Sequence, residues 1–119
     1  MKITDRPLSM VYQHCQEFIF IPLKLDLPPE WQVIFEWTDD KDAYGWSEAL
    51  SEDGDPFPDY KIELSKRKNK NYLDMIESMC HEMVHVHLSY TGHKDWHEHG
   101  KKFDRIINKI QKFTGFDAN

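Results

Sequence analysis

Five consecutive residues, His81, Glu82, Met83, Val84 and His85, stand inside a stretch whose apolar pattern asks for a helix. Asn71 is suited to cap it, and the spacing predicts a helix from about Tyr72 to Tyr90. Its apolar residues, Leu73, Ile76, Met79, Cys80, Met83, Val84, Val86 and Leu88, fall on more than one face, so the helix should be central and buried on two sides. On such a helix residues four apart lie one turn above each other, and both imidazoles of the HExxH sequence can reach a single ion. Glu82 lies roughly 100° further round, which sets its carboxylate beside the ion, where it can hold a metal-acidified water.

Two imidazoles and a carboxylate base suit zinc, which takes nitrogen ligands in a tetrahedron and in catalytic sites keeps one position open. A third protein ligand is needed. The residues after the helix offer His93, Asp95, His97, Glu98 and His99. A last helix is predicted from Phe103, Ile106, Ile107, Ile110 and Phe113 at helical spacing, with Lys101, Lys102, Arg105, Lys109 and Lys112 mostly outside and an end near Gly115. His99 stands four before Phe103 on the buried stripe of that helix, Glu98 shares the basic face, and His97 points away from His99. His99 therefore ranks first and His93, in a loop, second. Three inward histidines and Glu82 without an ion would leave buried polar groups lacking partners. His87 and Cys80 read as packed core residues and His14 as a surface one. Asp74 and Asp95 are candidates to orient a ligand histidine, and Tyr44, Tyr60 or Tyr90 could donate to a developing oxyanion.

The remainder of the 119 residues is consistent with a single domain spanning the chain. Leu8, Val11, Tyr12, Cys15, Phe18 and Ile19 recur at helical spacing, so a first helix is expected from about Arg6 to Phe20, with Asp5 before Pro7 at its start. Trp31, Val33, Phe35 and Trp37 alternate with Gln32, Ile34, Glu36 and Thr38 as in a strand. Ala43 to Leu50 can return antiparallel to it, SEDGDPFPD is turn chemistry, and Tyr60, Ile62 and Leu64 mark a third strand. Lys66, Arg67, Lys68, Asn69 and Lys70 read as a solvated loop, with phosphate contact the minority reading.

Composition excludes several classes. An apolar share of 39% with four Trp, five Tyr and seven Phe argues against disorder. The strongly apolar run Phe18 to Leu25 is broken by Pro22 and Lys24, so no membrane span is expected, and Asp5 and Arg6 stand where a signal peptide would be apolar. Cys15 and Cys80 are far apart and read as free thiols in a reducing compartment, which makes the cytoplasm the expected location. The net charge of −6 disfavours tight nucleic-acid binding. Nine acids and one base between Glu36 and Asp59 concentrate the negative charge in one segment, leaving the second half mildly basic.

HEMVH followed by GHKDWHEHGKKF, with His99, Gly100 and Phe103 in an HGxxF pattern, resembles the SprT-like zinc metallopeptidases, the family that includes Spartan. Tyr44, Gly45, Trp46 and Ile62 to Ser65 resemble the family's small sheet. Leu88 and Thr91 stand where a metzincin would have Gly and His. The resemblance implies His81, His85 and His99 as zinc ligands and Glu82 as general base. Family members often cleave proteins attached to DNA with the aid of added modules such as a zinc ribbon, and no cysteine follows Cys80 to build one.

The expected fold is thus α+β and zincin-like: an N-terminal helix, a three-stranded antiparallel sheet, the HExxH helix and a closing helix supplying His99. The expected function is zinc-dependent hydrolysis of protein or peptide substrates, basic or DNA-associated ones among them, with weak DNA contact through Lys66 to Lys70 or the basic face of the last helix. The alternative is a non-catalytic zinc-stabilised module for a basic or DNA-associated partner.

Overall fold

Leu8, Val11, Tyr12 and Cys15 form one buried stripe, and the first helix, α1 (Leu8–Cys15), winds so that it faces inward. The computed structural model describes residues 7–50 and 59–119. Arg6 and the expected start at Asp5 lie outside the described residues, as does most of the SEDGDPFPD turn. Pro7, in extended conformation, precedes the first helical residue. After Cys15 the backbone widens into a π-helical turn, Gln16–Phe20, with Ile21 N–H donating to the Gln16 carbonyl at 2.8 Å. Along this wider turn Ile19 and Phe20 are buried, while Phe18, expected inside, faces solvent at 65% exposure.

A 3-10 turn, Glu30–Gln32, holds Trp31 outside the sheet, so the first strand, β1 (Val33–Thr38), begins later than its aromatic alternation suggests. β2 (Gly45–Leu50) and β3 (Asp59–Ser65) follow. The sheet is mixed, with order β1-β3-β2. β3 runs parallel to β1, from Val33 opposite Tyr60 to Thr38 opposite Ser65, and antiparallel to β2, from Gly45 opposite Leu64 to Leu50 opposite Asp59. The expected all-antiparallel sheet with β2 beside β1 is corrected here. Burial supplies the reason: Tyr60, Ile62 and Leu64 are almost fully enclosed, so β3 takes the centre and the other two become edges. The connection from β1 to β2 is no tight hairpin. Asp40 Oδ1 accepts from the Asp42 and Ala43 N–H groups, and the Ser65 hydroxyl donates to the Asp40 carbonyl.

The central helix, α2 (Tyr72–Tyr90), has the expected bounds and is capped by Asn71 Oδ1, which accepts from Asp74 N–H at 2.8 Å. Every residue from Glu82 to Leu88 is buried, because α2 lies among α1, β2, β3 and the last helix. That helix, α3 (Lys101–Thr114), buries Phe103, Ile106, Ile107 and Ile110, leaves Phe113 exposed, and ends on Gly115 at φ 82°. Among the described residues no helix is long and apolar enough to cross a membrane.

Candidate metal centre

α2 presents His81 and His85 one turn apart, with ring centroids 5.0 Å from each other. His99 completes the cluster, its Nε2 lying 3.2 Å from His85 Nε2, and one ring nitrogen from each of the three falls within 4.8 Å of the others. His99 is not on the last helix, as its spacing suggested. Gly100 caps α3 in extended conformation, so His99 sits in the preceding loop, exposed, and comes under the cluster through that break in phase. Phe103 backs all three rings, at 5.0, 4.7 and 4.6 Å from His81, His85 and His99.

The donor set fits a zinc ion. Zn–N bonds of about 2.0–2.1 Å in a tetrahedron set two nitrogens roughly 3.3 Å apart, close to the His85–His99 separation. Two of the rings are also held with the correct nitrogen free. His81 Nδ1 meets the Ala118 carbonyl at 2.8 Å and His85 Nδ1 meets the Trp96 carbonyl at 2.7 Å. A carbonyl can only accept, so each Nδ1 carries the proton and each Nε2 keeps its lone pair. Burial pushes His81 below its ordinary value and His85 down to about 4, which keeps both imidazoles neutral as ligation requires. Among the described residues no buried side-chain nitrogen or oxygen lacks a partner, so the expectation of orphaned polar groups is not met. In the absence of an ion His85 Nε2 accepts from His99 Nε2.

Glu82 is 5% exposed, and burial pushes its carboxyl up to about 7 against the opposing hydrogen bond from Ser47. Ser47 reaches it because the inward face of β2 is small: Gly45, Ser47 and Ala49 let the strand lie against α2. A Cβ on Gly45 would stand 2.9 Å from the Glu63 carbonyl oxygen and 3.2 Å from Glu82 Cγ. That run of small residues at alternate positions was a readable signal for a close helix contact. A cleft of about 410 Å³ opens here, lined by Tyr44, Gly45, Ser78, His81, Glu82 and Ala118 among others.

The other candidates are elsewhere. His93 Nδ1 turns to the Leu88 carbonyl and the Thr91 hydroxyl, and His97 is an exposed ring against Trp96. His87 is buried as expected, with its Nδ1–H donated to the Asp26 carbonyl at 2.6 Å. Cys80 is buried 3.9 Å from the Cys15 sulfur, both thiols free. Asp74 accepts from Lys70 N–H, and Asp95 offers its backbone carbonyl to Glu98 N–H; the histidine-orienting groups are backbone carbonyls instead. Of the tyrosines, Tyr44 lines the cleft, whereas Tyr60 is buried against Ser89. Asn69, placed by its neighbours in a solvated loop, is fully buried. Its amide donates to the Tyr44 and Ser65 carbonyls and its oxygen accepts from Ser78 on α2, one turn before Glu82. A single Asn among lysines carries no local mark of that role.

Neither a curated protein nor a solved structure matches the chain. The family model that matches is that of the SprT-like family, over residues 31–119, about three quarters of the sequence and the whole span from the first strand through the histidine cluster. The chain therefore belongs to the SprT-like family.

Proposed function

We propose that the chain is a zincin-like, zinc-dependent peptidase in which His81, His85 and His99 hold the metal and Glu82 is the general base. The observation that carries this reading is the convergence of three imidazoles beside a buried carboxylate in one cleft. A zinc ion held there would acidify a water and polarise a peptide carbonyl. Glu82, raised toward neutrality, suits proton transfer in both directions: it takes a proton from the water and returns it to the leaving amine. The Ser47 hydroxyl keeps that carboxyl aimed from the sheet side, and Phe103 excludes water from behind the ligands. β2 is an edge strand, paired on one side with β3, and it passes Glu82 at Gly45 and Ser47. A substrate laid out in extended form along the open edge would bring its carbonyls past the base.

The acidic segment Glu36 to Asp59 includes β2 and favours basic proteins as substrates. DNA contact, in this reading, falls to the exposed Lys101, Lys102, Arg105, Lys109 and Lys112 of α3. The loop of basic residues is less free, since Lys66 and Arg67 lie on Asp39 and Lys68 over the Tyr44 ring. Glu82→Gln should retain zinc and fold while peptide cleavage is abolished. A wild-type protein that binds zinc and cleaves neither basic nor acidic proteins would instead favour the non-catalytic module.

A further inference from the structure

α3 separates two backbone segments that both return to the histidines. Ahead of it, Trp96 supplies the carbonyl on His85; beyond it, Gly115 turns the chain at φ 82° and sends residues 116–119 back along α2. Three contacts fasten this tail. Phe116 N–H donates to the Thr114 hydroxyl at 2.9 Å, Asp117 N–H donates to Glu77 Oε2 at 2.6 Å, and Ala118 is buried at 2% exposure. Between the last two, the Ala118 carbonyl takes the Nδ1 proton of His81 at 2.8 Å. Asp117, Ala118 and Asn119 also line the cleft that contains Glu82.

We propose that the segment Phe116–Asn119 is a positioning element of the metal centre, whose Ala118 carbonyl locks His81 as the Nδ1–H tautomer and so leaves Nε2 free for the ion. The inference rests on the zinc-binding reading above and adds a part that the helix motif does not contain. His81 has no other partner for Nδ1 among the described contacts. Without the carbonyl, the ring is free to place its proton on either nitrogen and to rotate, and only a fraction of the resulting forms presents an unprotonated Nε2 to the cluster. Partners of this kind on ligand histidines change metal affinity by roughly 10–100-fold.

The test uses the 119-residue chain and a version lacking Ala118 and Asn119, compared by circular dichroism and thermal midpoint for fold, by competition with a chelator for zinc, and by ¹⁵N NMR of the histidine rings. In the metal-free wild type the His81 ring should show a protonated Nδ1; in the shortened chain that signature should be lost while those of His85 and His87 persist, and zinc should bind at least tenfold more weakly. Glu77→Ala in the full chain, which releases Asp117 without touching the histidines, should weaken zinc binding in the same direction by a smaller factor, and it decides the matter where the shortened chain does not fold. Unchanged His81 tautomer and unchanged zinc affinity in a folded variant would overturn the inference while leaving the metal reading intact. Failure of the wild type to bind zinc would overturn that reading and this inference with it.

Discussion

At the scale of single residues, the sign of each pKa displacement separates the proposed base, Glu82, from the proposed ligands. Glu82 in the metal-free protein titrates at about 7 against an ordinary 4.5, so the fold favours its neutral form. Its contribution to stability is present below pH 4.5 and is lost as pH rises through 7, a difference of roughly 3 kcal/mol at 1.36 kcal/mol per unit. Glu82→Gln should accordingly raise the thermal midpoint of the chelator-treated protein at pH 8 and leave it little changed at pH 4.5, while cleavage by the zinc-loaded protein is lost. Differential scanning calorimetry at the two pH values checks the first part. His85 has the opposite sign: displaced from 6.5 down to about 4, it contributes stability above pH 6.5 that disappears as pH falls through 4, with His81 displaced in the same direction. Neutral imidazoles are the ligating form, so bound zinc should be released as acidification approaches pH 4, where His85 takes up its proton, seen as metal passing a dialysis membrane.

Elements meet at this site through a few buried groups. Asn69 ties the Ser65 end of β3, the Tyr44 carbonyl ahead of β2 and Ser78 of α2 into one junction. Asn69→Ala removes three hydrogen bonds and strands their partners, a cost of about 2–3 kcal/mol that urea denaturation should register. Gly45→Ala should cost about 1–3 kcal/mol by forcing β2 off α2, and with Ser47 displaced its cleavage rate should fall further than its stability does. Periodicity had marked every one of these elements, and for α2 its ends as well, because caps and helical spacing are local properties. The sheet was legible as three strands and no further. Alternation at period two tells which side chains share a face, while the partner of each strand depends on which one buries most, and that is settled only when all are present.

For the molecule as a whole, the histidine cluster bridges α2 to the loop ahead of α3, alongside the His85–Trp96 hydrogen bond and the packing of Phe103. Zinc at 1,000 times its dissociation constant should stabilise the native state by about 4 kcal/mol, read as a rise in thermal midpoint that chelator reverses. His99→Ala should abolish that rise and leave the metal-free midpoint nearly unchanged, since His99 is exposed. By itself the sequence determined the α+β composition, the central helix with its caps, and the histidines and glutamate able to act together, since spacing along a helix is a matter of neighbours in the chain. Only the tertiary structure decided that β3 lies between β1 and β2, that His99 arrives from a loop, and that carbonyls of Trp96 and Ala118 hold the rings. These arrangements join residues 9 to 37 positions apart, and their free energies come from burial and hydrogen bonds between segments that periodicity alone does not pair.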